Sequence, residues 1–164
     1  MSLLSLPGLG PGVGLLIDTN LLVLLTVGGV NRDRIENFKR TRRYTKSDYD
    51  LFGQDNWETA SLYSRSRHAE VSNLTDLEEP ERLRARRVLA KTISVIQEPH
   101  VSSLRASESL YYEKLGLVDA AISIVAREQK CSVLTDDFDL YLWLTKEGLP
   151  AVKFTHLREL NWSQ

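Results

Sequence analysis

The chain carries one cysteine, Cys131, so it can form neither an intrachain disulfide nor a cysteine-based zinc site. Cys131 sits in an apolar stretch and reads as a small core residue. A reducing, cytoplasmic setting fits that usage. Net charge is also lacking: 21 Lys and Arg stand against 22 Asp and Glu, a formal −1, so no global field draws the chain to a polyanion. No uninterrupted apolar run reaches membrane-spanning length. Residues 1–17 hold no charged side chain, yet Pro7, Gly8, Gly10, Pro11, Gly12 and Gly14 break them up, and Asp18 and Asn20 separate them from the apolar run that begins at Leu21. No Lys or Arg precedes the apolar part, which argues against a signal peptide. The Gly-rich stretch has no P-loop Lys, which argues against phosphate binding there. Residues 1–12 read as a flexible leader and 13–160 as one domain, with no membrane partner. There is no internal repeat.

What remains is an ordinary soluble composition. At 164 residues, 42% hydrophobic and 26% charged, the chain can bury one core. The elements alternate. Val13–Ile17 reads as a buried strand and Asn20–Val27 as a short buried helix. Asn31–Thr41 reads as a polar helix with Ile35 and Phe38 inward. Glu81–Gln97 is a long helix after Pro80, with Val88, Leu89, Ile93 and Ile96 as its apolar stripe. Pro99 ends it. Val118, Ile122 and Val125 form another stripe, Cys131–Leu134 is a short strand, and Phe138–Lys146 is a helix with Leu140, Trp143 and Leu144 inside, stopped by Gly148. Ala151–Phe154 is a last strand. Strands separated by helices predict an α/β fold, a three-layer α/β/α sandwich around a mainly parallel sheet.

Acids recur at strand ends in that scheme. Leu15-Leu16-Ile17-Asp18-Thr19-Asn20 puts Asp18 at the carboxyl end of the first strand, the edge at which open α/β sheets bind ligands. Asp119 opens a helix in Leu117-Val118-Asp119-Ala120-Ala121-Ile122. Asp136 and Asp137 follow a strand in Leu134-Thr135-Asp136-Asp137-Phe138-Asp139. Carboxylates clustered without Cys or His suit hard cations such as Mg²⁺ or Mn²⁺. Basic residues gather elsewhere: Arg32, Arg34, Lys39, Arg40, Arg42, Arg43 and Lys46, then Arg65, Arg67, Arg82, Arg84, Arg86, Arg87 and Lys91. A basic face beside an acidic pocket suits a metal-dependent enzyme acting on a polyanion. A solvated helix face would show the same charge runs.

These three phrases, with Ala69-Glu70-Val71-Ser72-Asn73-Leu74 in the middle as a fourth, resemble the PIN-domain nucleases, the fold of VapC-type toxins and related RNA-cleaving proteins. The resemblance runs from about Leu15 to Arg158, and its strength lies in the order and spacing of the four phrases. It implies a metal-dependent endoribonuclease. Asp18, Asp119 and Asp137 fall on its main metal-binding acids and Glu70 on the acid of its middle helix. Thr135 falls on the Ser or Thr beside them and Asp139 on the acid that comes after. Asp136 rivals Asp137, because a doubled Asp lets the alignment slip. The resemblance implies RNA as substrate, Mg²⁺ or Mn²⁺ as cofactor, and leaves open an antitoxin protein and a second copy of the chain as partners. Arg40, Arg42 and Arg43 are the candidates for holding flanking phosphates.

Plain alternatives stand beside each assignment. Asp18, Asp119 and Asp137 are all placed to be helix N-caps, and Glu70 reads equally as a surface acid. His68, His100 and His156 read as ordinary histidines. Trp57, Trp143 and Trp162 are able to stack on bases, though Trp143 fits a buried helix face. The segment 53–68 breaks the pattern, being polar with no credible strand beyond Ala60–Tyr63. Back-translated with permitted codons through Ala69 and read one nucleotide later, it becomes Val-Lys-Ile-Ile-Gly-Lys-Leu-Gln-Ala-Phe-Ile-Leu-Asp-Pro-Ala-Met-Leu, an apolar helix and strand. Two compensating frameshifts would leave that trace. Two further classes therefore compete with a nuclease: a catalytically degenerate PIN-like interaction domain, and a flavodoxin-like signalling domain. The latter gives Glu70 and Thr135 no task.

Overall fold

The computed structural model describes residues 13–53, 62–63 and 77–162, with the side chains of 52, 53, 62, 63 and 160–162 left aside. The sheet is parallel throughout. Strands β1 (Leu15–Ile17), β2 (Leu62–Tyr63), β3 (Ile96–Gln97), β4 (Ser132–Thr135) and β5 (Ala151–Lys153) lie in the order β3-β2-β1-β4-β5. Leu16 stands beside Val133 and Ile17 beside Leu134. Every residue of β1 and β4 is buried, as a parallel sheet covered on both faces requires.

Side chains alternate across the sheet. Leu15, Ile17 and Leu134 enter one core with Leu21, Leu24, Ile35, Phe38, Tyr44, Leu89 and Phe154. Leu16 and Val133 enter a second core with Ala120, Val125, Leu140 and Leu144. Helices α1 (Thr19–Val30), α2 (Lys46–Gly53), α3 (Glu81–Val95) and α7 (Phe154–Trp162) belong to the first side, and α4 (Ser103–Ser107), α5 (Tyr112–Gln129) and α6 (Phe138–Lys146) to the second. The result is the three-layer α/β/α arrangement expected from the alternation of elements.

The sheet order matters for function. From β1 the chain builds β2 and β3 to one side, then returns to place β4 and β5 on the other. The carboxyl ends of β1 and β4 therefore flank the point where the strand order reverses, where α/β sheets open a ligand crevice. Asp18 directly follows β1, and Asp136 and Asp137 directly follow β4.

Several elements differ from expectation. Residues 31–41 form a short 3₁₀ turn, Arg32–Arg34, and further turns in place of a helix. Ile35 and Phe38 are buried as expected. The Thr41 hydroxyl donates to the carbonyls of Ile35 at 2.7 Å and Phe38 at 3.5 Å, a local bond that competes with helix continuation. In α5, Gly116 has φ 77°, so the helix restarts after it and Asp119 lies in the first turn of the new segment. That rotation leaves Val118 exposed at 45% while Ile122 and Val125 are buried. The last strand stops at Lys153 and a helix, α7, begins at the next residue.

Helix α1 is apolar on nearly all sides and is packed on nearly all sides, Leu21, Leu22, Val23, Leu24 and Val27 being buried. Its approach to α2 depends on Gly28, where an added Cβ would sit 2.2 Å from Cδ2 of Tyr49. Gly28→Ala should gain helix propensity of about 1 kcal/mol yet lose more than that to overpacking against the ring, of order 1–3 kcal/mol. Urea unfolding of the variant is expected to show a lower midpoint. A raised midpoint would mean that α1 and α2 separate freely.

Candidate metal and nucleic-acid site

Asp18 sits where a helix N-cap belongs, immediately before α1, yet its side chain makes no cap hydrogen bond. Its Oδ2 instead accepts from the Thr135 hydroxyl, 2.9 Å away and 117 residues later, in a buried contact between β1 and β4. Its backbone N–H donates to the Leu134 carbonyl at 3.0 Å. Thr135 is fully buried, and its Oγ1 also accepts the Asp137 N–H at 3.0 Å. One hydroxyl thus joins the ends of two strands and two of the acids.

Burial raises the Asp18 pKa above the ordinary 3.8. The Thr135 bond and the neighbouring N–H groups of Thr19 and Asn20 offset part of this, and the Asp137 carboxylate adds to it. Asp119 is pushed up to about 6, first by burial and then by the charges of Asp137 and Asp18. The three acids drawn from β1, α5 and the β4–α6 turn therefore feel one another's charge. Asp137 is exposed to solvent. It also serves as the N-cap of α6, its Oδ1 accepting from the N–H groups of Asp139 at 2.9 Å and Leu140 at 3.1 Å. Asp137 thus makes side-chain cap bonds, whereas Asp18 stands at the N-cap position of α1 with the Thr135 hydroxyl as its side-chain partner.

Asp136 faces elsewhere. Its Oδ1 accepts from the Thr155 hydroxyl at 2.6 Å, and its Oδ2 lies 3.5 Å from Nε of Arg43. Asp139 is exposed and lines a separate surface cleft with Lys114, Leu115, Leu142, Trp143 and Lys146. Trp143 is half-buried there, its ring 6.2 Å from that of Tyr111. Glu70, His68 and Trp57 lie outside the described residues, as does the leader 1–12 and most of the segment 53–68.

Among the described residues, no three His, Cys, Asp or Glu side chains gather as a group that could hold a metal ion. The acids are near enough to repel but do not converge on one point. Their chemistry fits a hard divalent cation: the donors are oxygens only, anionic, and partly withdrawn from water.

The basic stretch behaves unevenly. Arg32 pairs with Asp50, Arg34 with Glu81 at 2.8 Å and Lys46 with Asp33, all exposed or half-exposed surface pairs. Arg40 is half-buried, and Arg42 and Arg43 are exposed. Two features carried no sequence signal. Tyr44 is buried with its ring edge-on to Phe154 at 5.9 Å. Asp48 is buried and pairs with Arg158 at 2.8 Å. Both depend on contacts between segments far apart in the chain.

No helix among the described residues is long and apolar enough to cross a membrane. No family model and no curated protein matches the chain. Among solved structures it is similar to a domain of a functionally unknown protein from Methanocaldococcus jannaschii DSM 2661, with 16% identity and a TM-score of 0.50, over 87% of this chain and 91% of that one. At that identity the likeness concerns the fold alone.

Proposed function

We propose that the chain is a PIN-like, metal-dependent endoribonuclease in which Asp18, Asp119 and Asp137, with Glu70, hold Mg²⁺ or Mn²⁺ and Thr135 orients Asp18. The observation that carries the reading is the state of Asp18. A buried carboxylate that is tied across the sheet by Thr135 and set against two further acids costs stability. A divalent cation removes that cost. When bound it would lower the proton affinity of an attacking water and cover charge on the phosphoryl oxygens. A catalytically degenerate PIN-like interaction domain is the second reading. It is favoured by the lack of a converged three-ligand group among the described residues.

A Mn²⁺ titration followed by thermal melting separates the two. Binding to the folded state alone raises stability by about 2.7 kcal/mol at 100 times Kd, so the nuclease reading expects melting temperature to climb with millimolar Mn²⁺ or Mg²⁺. Asp137→Asn should weaken that climb more than Asp136→Asn, because Asp137 shares its field with Asp18 and Asp119 while Asp136 is engaged by Thr155 and Arg43. No climb in the parent chain favours the interaction domain. The reverse ranking of the two variants moves the ligand to Asp136.

A further inference from the structure

Asp136 and Arg43 form a built network at the edge of the acids. Residues before α2 and after β4 meet there. Arg43 Nη2 donates to the Tyr44 hydroxyl at 2.8 Å, and its guanidinium lies 5.0 Å from the centre of the Tyr44 ring. Its Nε faces Asp136, whose other oxygen is taken by Thr155 from the start of α7. Tyr44 and Asp136, which hold the guanidinium, are buried or nearly so, while the Arg43 side chain itself keeps 49% of its surface in solvent. The network also borders the acids. Asp136 is the neighbour of Asp137, and the charges of both Asp136 and Asp18 reach the Tyr44 hydroxyl.

We propose that Arg43 is a substrate-positioning residue which takes a non-bridging oxygen of an RNA phosphate at the rim of the acidic site, and that Asp136 serves to hold Arg43 there. This rests on the ribonuclease reading and narrows the basic stretch to one cation with a fixed address. Three physical points support it. A guanidinium carries five N–H donors, and Tyr44 and Asp136 face only part of that fork. A cation 3.5 Å from Asp136 opposes binding of a dication at the same carboxylate, which separates the tasks of the doubled Asp. A polyanion approaching three mutually repelling acids needs a cation whose position is set in advance, and Arg presents a planar fork for phosphate.

The test is Mn²⁺-dependent cleavage of a fluorescent single-stranded oligoribonucleotide, with Mn²⁺-induced melting shifts read on the same proteins. Arg43→Ala should raise KM about tenfold, the worth of one charge-assisted hydrogen bond, with kcat within about twofold. It should also flatten the salt dependence of RNA binding by about 0.7 in the logarithmic slope. Arg43→Lys should restore the slope but not KM, since the charge returns without the fork. Asp136→Asn should raise KM about threefold in the parent chain and not at all in the Arg43→Ala background, the signature of one shared role. The Mn²⁺ shift should survive in all of them. Loss of that shift in Asp136→Asn would make Asp136 a ligand and overturn the assignment. So would unchanged KM and slope in Arg43→Ala, or additive effects in the double variant. A parent chain that cuts no RNA with Mn²⁺ removes the ribonuclease reading and this inference together; a parent that cuts alongside variants matching it removes the inference alone.

Discussion

Asp119→Asn is expected to abolish RNA cleavage and, in the metal-free protein, to raise stability. The two effects have one cause. Asp119 lies in the first turn of the restarted α5 helix, close enough to Asp18 and Asp137 for their charges to add to burial in lifting its pKa to about 6. The folded chain thus binds a proton on Asp119 that the unfolded chain releases near 3.8. Stability from this group is greatest below pH 4 and is lost as pH rises through about 6. Asn carries no such charge at any pH. The variant should therefore match the parent near pH 4, pull ahead between pH 4 and 6, and keep its lead above that. Linkage alone gives about 3 kcal/mol. Asp119 is only half-buried, and solvent screening reduces the figure to about 1 kcal/mol. Asp18→Asn should also abolish cleavage and stabilise the metal-free protein, since burial raises the Asp18 pKa and the Asn carbonyl can still accept from Thr135. Cleavage should fall by more than the roughly 100-fold that loss of an outer partner of a metal ligand produces. Melting curves at several pH values, run with EDTA, read the first effect and an RNA assay reads the second. A variant that is equally active, or less stable at pH 7 without metal, contradicts the metal-site assignment.

Asp48→Ala is expected to be the most destabilising single change away from the acids. Asp48 is buried, and its Oδ2 accepts from the Thr45 N–H at 2.7 Å while the Thr45 hydroxyl accepts from the Asp48 N–H at 3.3 Å. That is the reciprocal bonding of a capping box at the start of α2. The other carboxylate oxygen meets Nε of Arg158 on α7 at 2.8 Å. Alanine would remove the cap and the ion pair that Asp48 makes with Arg158, which is 21% exposed. Loss of one member of a largely buried pair costs about 3–5 kcal/mol, and the cap adds about 1 kcal/mol. Urea unfolding should show a loss of about 3 kcal/mol or more. Arg158→Ala should cost less, because the cap survives. A loss below about 1 kcal/mol for Asp48→Ala, no more than the cap alone, would mean that α7 does not brace α2.

The legible and illegible parts of the chain divide along a physical line. The runs Leu15–Ile17 and Ser132–Thr135 are short, largely apolar and followed by acids, so strand, burial and edge position can all be read from a few adjacent residues. Helix Phe138–Lys146 lies where its periodicity places it, because Asp137 caps its start and Gly148, with φ 69°, stops the chain after it. The turns at 31–41 read as a helix because Ile35 and Phe38 have helical spacing, while the deciding bond, Thr41 to Ile35, is a local side-chain choice that spacing does not reveal. Helix α7 leaves little trace because it starts on the residue after β5 with no turn between them. Val118 reads as a core position although it is exposed, because the kink at Gly116 resets the helical phase.

At the candidate site, Asp18, Asp119 and Asp137 stand out from the chain by their places at strand and helix ends, but adjacent residues do not separate Asp136 from Asp137. That separation depends on Arg43 and Thr155, which come from distant parts of the chain. Capping rules treat Asp18 and Asp137 alike, and only the cross-sheet bond to Thr135 tells them apart. The place of Glu70 lies outside the described residues.

The most direct measurement is cleavage of a single-stranded RNA by the purified chain with Mn²⁺, with EDTA, and with Mn²⁺ in the Asp119→Asn background. Products are expected in the first condition alone. Cleavage that persists in EDTA, or that Asp119→Asn performs as well as the parent, would contradict a metal-dependent nuclease built on these acids, and so would an intact RNA in all three.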